Sequence, residues 1–191
     1  MRACLEMPRV FVMVYIDNKL GNQATKMSLE QALREHRFTS GLPDSGLAKL
    51  AAFAREEAFE QDQVILVAGM QSKDFYLLLS GSVSVEVCAP HYTVRIQALG
   101  AGEAFGWSSL LQHHDTLFQI RARERSTAIR LDGSLLYAAC TEDAEFGLGL
   151  FRRLLELVAG RVKATEARLA EFCGTAATGA ASVFAKFGPP A

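Results

Sequence analysis

The sequence predicts an α+β domain: helices first, then a roll or sandwich of short antiparallel strands, then one long helix. Two observations carry that prediction. The spacing of apolar residues is helical over residues 38–58, becomes two from Phe59 onward and returns to helical after Asp132. Glycines cut the period-two stretch at near-regular intervals, as in a sheet that repeatedly folds back on itself.

Residues 1–26 show no clear period. Two readings stand for them: upstream sequence, with Met27 as the natural start, or a real extra strand, because the run Val10 to Ile16 is β-prone. A signal peptide is not expected there. Glu6 and Pro8 interrupt the approach to that run, and no small-x-small cleavage site follows it closely. Ser28 with Gln31 three residues on is a capping-box pattern for a short helix. Pro43 opens a second helix, in which Leu47, Leu50, Ala51 and Ala54 recur at helical spacing, and the charged Arg55-Glu56-Glu57 reads as its end.

Val64-Ile65-Leu66-Val67 and Phe75-Tyr76-Leu77-Leu78-Leu79 read as strands, closed by Gly69 and Gly81. Val83, Val85 and Val87 alternate with Ser84 and Glu86, the pattern of a strand with one buried face. Val94, Ile96 and Ala98 alternate again before Gly100 and Gly102. Phe118 to Arg123 and Ser126 to Leu131 supply two more strands. In the first of these, Phe118, Ile120 and Ala122 share one face, and Gln119, Arg121 and Arg123 the other.

Residues 134–140 then make a short helix, and a longer one runs from about Ala144 to Phe172. In it Phe151, Leu155, Val158, Val162, Thr165, Leu169 and Phe172 alternate spacings of four and three, which is a heptad seam for a dimer. Packing of that stripe onto the strands is the alternative, since Arg152, Arg153, Glu156, Arg161, Lys163, Glu166 and Arg168 leave the rest of the helix polar. The segment 173–191 is rich in small residues, ends Gly188-Pro189-Pro190-Ala191 and reads as a disordered tail. The organisation is therefore an extension over 1–26, a roll with its leading helices over 28–143, a dimer helix over 144–172 and the tail.

Composition narrows the function. Half of the residues are hydrophobic, 21% are charged and the net charge is −1, the profile of a soluble globular protein without the basic excess of a nucleic-acid binder. Cys4, Cys88, Cys140 and Cys173 stand far apart with no CxxC pair, and read as free thiols in a reducing cytoplasm. No apolar run reaches the ~20 residues that span a bilayer. Of the histidines only His113 and His114 are close together, and no metal site is expected. Ser108, Ser109, His113, His114 and Asp115 suggest catalysis only by proximity in sequence, so a jelly-roll enzyme is the weakest of the readings.

Three matches occur in order. Phe38-Thr39-Ser40-Gly41-Leu42 leads into a helix. Gly69 precedes Phe75-Tyr76-Leu77-Leu78-Leu79-Ser80-Gly81-Ser82-Val83. Leu99-Gly100 is followed by Gly102 and by Phe105-Gly106. Together they resemble the cyclic-nucleotide-binding domain family, which includes the catabolite-activator-type regulators, over about residues 28–172. The resemblance implies an eight-stranded antiparallel β-roll, a double-stranded β-helix or jelly roll, flanked by helices. It also implies a phosphate-binding cassette formed by Gly102, Phe105, Gly106, Trp107, Ser108, Ser109 and Leu110. In the family a Glu just after the Phe-Gly pair holds the ribose, and an Arg about ten residues later holds the phosphate. Here Trp107 takes the Glu position, and His114 to Phe118 contains no Arg.

The cassette thus reads as degenerate. Asp115 repels a phosphate if it faces inward, and Arg121 is the nearest candidate cation, although strand alternation turns it outward. Trp107, the only tryptophan, either lines a pocket or fills it, with filling slightly preferred. Losing a charge-assisted phosphate pair costs roughly 1.5–3 kcal/mol, ten- to a hundredfold in affinity. No tight cAMP binding is expected, no cofactor is assigned, and any ligand is a different small or nucleotide-like molecule. A helix-turn-helix after the long helix is not expected either, because the 19 residues after Phe172 contain one Lys and no Arg. Two functions remain in view: a sensor domain acting on a protein partner, and a ligand-free dimeric scaffold.

Overall fold

A computed structural model describes residues 29–111, 115–116 and 118–172. The expectations for residues 1–26, for Ser28, for His113 and His114 and for the 173–191 tail lie outside the described residues. Helix α1 covers residues 29–35. It is followed by α2 (Asp44–Phe53), β1 (Arg55–Phe59), β2 (Val64–Leu66), β3 (Asp74–Ser80), β4 (Ser82–Ala89), β5 (Tyr92–Gly100) and β6 (Ala104–Phe105). A single 3-10 turn (Trp107–Leu110) precedes β7 (Gln119–Ala122), β8 (Ser126–Asp132), α3 (Gly133–Glu142) and α4 (Ala144–Phe172).

The strands form two antiparallel four-stranded sheets, ordered β1-β8-β3-β6 and β2-β7-β4-β5. The chain is therefore an α+β protein built on a β-roll. Alternation divides the core in two. Tyr76, Leu78, Val83, Leu99 and Phe105 meet between the sheets. Phe75, Leu77, Ile129 and Leu131 point from the other face of the first sheet and pack against Leu33, Leu50, Leu136, Phe146 and Leu150 of the helices. That double burial explains why β3 is apolar on both of its faces.

Three details depart from the periodicity. Arg55-Glu56-Glu57 does not end α2. Ala54 is extended, and the three charged residues open β1, paired with β8 from Arg55↔Arg130 to Phe59↔Ser126. β1 is an edge strand, where charged side chains keep their hydration and deter further pairing, so the polar run is compatible with a strand. In β4, Ser84 and Glu86 are buried as completely as the valines. Glu86 accepts hydrogen bonds from Ser84 Oγ (2.6 Å), Gln119 Nε2 (3.1 Å) and Arg121 Nε (3.3 Å). Burial alone raises its pKa, but those bonds outweigh it and hold the carboxyl below its ordinary range.

The third departure is a bulge in β5. Val85 pairs with Gln97 and Glu86 with Arg95, which leaves Ile96 without a partner. The even-numbered alternation read from sequence therefore fails halfway along the strand. Val94 pairs opposite Val87, but beyond the bulge Gln97 and Leu99 lie opposite Val85 and Val83, while Ala98 is exposed.

His36, just after α1, ties the helical layer to the roll. Its Nδ1 accepts from the Phe38 N–H (3.1 Å) and its Nε2 lies 3.2 Å from the Leu78 carbonyl, which fixes a neutral ring with the proton on Nε2. Burial, only partly opposed by these carbonyl contacts, pushes its pKa below the ordinary 6.5. The unfolded chain therefore takes up the proton first as pH falls, and stability drops from about pH 6.5 downward until the folded ring also titrates. The slope is at most ~1.4 kcal/mol per pH unit. Urea unfolding at pH 7.5, 6.5 and 5.5 is expected to show that loss. His36→Gln is expected to be less stable at pH 7.5 and flatter across the range, and an equally steep variant would refute the assignment.

Candidate functional site

The site is built where β6 leaves the first sheet. Gly106 adopts φ +82°, and a Cβ there would lie 2.4 Å from the Asp74 carbonyl oxygen. Only glycine allows both that left-handed turn and the close crossing over β3. The 3-10 turn begins immediately afterwards, and its tight winding sends successive side chains in different directions. Trp107 and Ser108 line a cavity inside the roll. Leu110 instead enters the helix-side core, and Ser109 packs against Gly133 at the start of α3 with its buried Oγ unpaired.

The cavity measures about 240 Å³. Val85, Leu99, Phe105, Phe118 and Ile120 make its apolar walls, and Ile96 and Gln97 reach it together because of the bulge. Ser108, Asp115 and Thr116 supply polar groups at the cassette side, and α4 contributes Arg161 and Thr165. Trp107 spans the two layers, resting on the helix-side core while facing the cavity. The preference for a filled pocket is thus corrected: the cavity persists and Trp107 is a wall of it.

Of the cassette residues, Phe105, Gly106, Trp107 and Ser108 come together. Gly102 does not; it lines a neighbouring cleft outside the roll. Arg121 does not either. Ile120 points inward, so Arg121 points outward, where it bonds Glu86 and donates from Nη1 to the Asp62 carbonyl (2.7 Å). Asp115, considered only as a source of repulsion, does line the cavity.

Arg161 was not singled out by sequence, where it is one of seven charges on the polar part of α4. Its side chain is 16% exposed. Nη2 donates to the Ala104 carbonyl (2.9 Å), and Nη1 lies 3.5 Å from Glu103 Oε1. Burial lowers its pKa and the Glu103 carboxylate partly restores it. Glu103 Oε2 also accepts from the Gly100 N–H (2.8 Å), so the β5–β6 turn is fastened to α4 through this one pair. Thr165 did leave a signal, as the single polar residue in an otherwise apolar seam.

Among the described residues the cavity therefore offers an apolar body, an aromatic wall, the hydroxyl-bearing Ser108, Thr116 and Thr165, one carboxylate and one guanidinium already committed to Glu103. Among the described residues, no group of three His, Cys, Asp or Glu is placed to hold a metal ion. Nor is any described helix long and apolar enough to cross a membrane.

The family model of the cyclic nucleotide-binding domain matches residues 56–143. The match falls on the strands of the roll and on α3, so over that stretch the chain is similar to the cyclic nucleotide-binding domain family. Among solved structures, a candidate cyclic nucleotide-binding protein from Geobacter metallireducens is 25% identical, with a TM-score of 0.62 over 70% of this chain and 97% of its own. The sensor domain of the transcriptional regulator DNR from Pseudomonas aeruginosa is 16% identical, with a TM-score of 0.60 over 73% and 94%. The regulatory subunit of a cAMP-independent protein kinase A from Trypanosoma brucei is 17% identical, with a TM-score of 0.62 over 80% of this chain and 53% of that one. No curated protein matches the sequence.

Proposed function

We propose that the chain is a regulatory sensor domain whose roll binds a small, largely apolar ligand without a phosphate, and that it does not bind cAMP tightly. The observation that carries this reading is Asp115 on the cavity wall beside Ser108 and Trp107. A cyclic phosphate brought there meets a carboxylate, and Arg161, the one Arg or Lys lining the cavity among the described residues, is already paired with Glu103. A neutral or amine-bearing ligand finds instead an acceptor, a hydroxyl and an aromatic face. The trypanosomal structure, the regulatory subunit of a protein kinase A described as cAMP-independent, gives this reading a parallel within the fold.

The output runs through α4, which contributes to the cavity wall while carrying the heptad stripe on its surface. A ligand that favours one position of the helix over another shifts the population toward it. The chain then acts on a partner protein rather than by reading DNA itself. Titration of apolar metabolites with and without amines, followed by Trp107 fluorescence, is expected to give a saturable change for a phosphate-free ligand, lost in Ser108→Ala. A low-micromolar dissociation constant for cAMP in calorimetry would overturn the reading.

A second reading, a dimeric scaffold that needs no ligand, is favoured by one observation. Leu155, Val162 and Leu169 of the seam are 70%, 50% and 63% exposed, so the stripe is not spent on packing against the roll. α4 instead anchors itself with Phe146, Leu150 and Leu154. Both readings pair two copies of the chain along this stripe.

A further inference from the structure

A second cleft, about 350 Å³, lies outside the roll between the turn after α1, the β5–β6 turn and α4. Three guanidinium groups from separate parts of the chain line it: Arg37, Arg153 and Arg161. Glu103 and Glu156 line it as well, so three positive charges face two negative ones and the cleft carries a net +1.

The arginines are not equally engaged. Arg153 donates to the Ser40 carbonyl (2.5 Å) and to Glu156 (3.2 Å). Arg161 is held by Ala104 and Glu103, as described. Each guanidinium has five N–H donors, so both retain several that these bonds do not use. Arg37 is exposed and has no carboxylate within ion-pair distance among the described residues. Collecting like charges in one concavity costs free energy, and that cost is offset when an anion enters. The cations are all arginines, whose planar fork matches the two oxygens of a carboxylate or phosphate.

We propose that this cleft is a binding site for a small oxyanion, a metabolite bearing a carboxylate or phosphate, gripped by Arg37 and Arg153, with Arg161 and its partner Glu103 forming the wall toward the roll. The site shares Arg161 with the roll cavity, so the two have one wall in common. It differs from the roll cavity in chemistry, being charged where the other is apolar, and it draws Gly102 and Glu103 into a role outside the cassette. Gly102, at φ +84°, brings the β5–β6 turn against the base of Arg37: a Cβ there would lie 3.7 Å from the Arg37 Cβ.

The test uses the full chain, titrated with sodium phosphate and separately with sodium citrate against sodium chloride at matched ionic strength. Thermal denaturation and backbone amide NMR shifts are followed. A saturable rise in melting temperature with at least one oxyanion, with shifts centred on Arg37 and Gly102, is expected. Response to phosphate alone assigns a phosphate ester, and response to citrate alone a carboxylate. Arg37→Ala, at an exposed position, is expected to weaken binding at least tenfold, while Arg95→Ala, outside the cleft, leaves it unchanged. The proposal is overturned if neither oxyanion exceeds chloride, if Arg37→Ala binds as well as the parent, or if Arg95→Ala weakens binding equally.

Discussion

Asp115→Arg is expected to give the roll measurable affinity for cAMP where the parent shows none below the high-micromolar range. The substitution replaces a repulsion by a charge-assisted pair at the cavity wall. A hydrogen bond to a charged group contributes roughly 1.5–3 kcal/mol, about ten- to a hundredfold in affinity. Removal of the repulsion alone, in Asp115→Asn, is expected to fall between parent and Asp115→Arg. Calorimetry with cAMP reads the series, and circular dichroism confirms that each variant is folded. Equal affinity across the series would mean that Asp115 does not face the phosphate position. Even Asp115→Arg is not expected to reach the affinity of an intact cassette, because Trp107 still stands at the ribose-binding position.

The second large effect concerns α4. The parent is expected to sediment as a dimer at tens of micromolar, and Leu155→Asp with Leu169→Asp as a monomer. Both leucines are mostly exposed in the single chain, so the double variant is expected to keep its circular dichroism spectrum. In the paired state each buried leucine contributes roughly 1.5–3 kcal/mol. With both copies changed, the loss reaches at least ~6 kcal/mol, about four orders of magnitude in the dissociation constant. A monomeric parent, or a double variant of unchanged mass, refutes the pairing.

These two predictions rest on features that were legible to different degrees. The strands and the long helix were readable because period two, period 3.6 and the glycine turns are local signals. α4 runs from Ala144 to Phe172, as its pattern indicated. β1 was not readable. Its charged residues carry a helix-compatible polarity, and only pairing with β8 makes them a strand. The outward face of β4 was misread for a related reason. Serine and glutamate normally mark a solvated face, and Glu86 is buried only because Ser84, Gln119 and Arg121 satisfy it. Half of the cassette was legible because Phe105 to Ser108 is one continuous stretch. Ser109 and Leu110 belong to the same stretch, but the winding of the 3-10 turn carries them away. Arg161 was not legible, since nothing in its spacing distinguishes the turn of α4 that meets the roll from the turns that do not.

The bulge at Ile96 has a consequence for how this protein tolerates changes in length. On either side of it the β4–β5 ladder is in regular register, with Gln97 facing Val85 and Arg95 facing Glu86. Deleting Ile96 would join the two halves without moving a side chain to the opposite face: Arg95 would stay outside and Val94 inside. A one-residue deletion in β4 or elsewhere in β5 would have the opposite result. It would invert a run of side chains, turning charged residues such as Arg95 toward an interior that now carries few charges. Within the paired residues of this hairpin, a one-residue deletion is therefore expected to be tolerated best at Ile96, a position that borders the roll cavity.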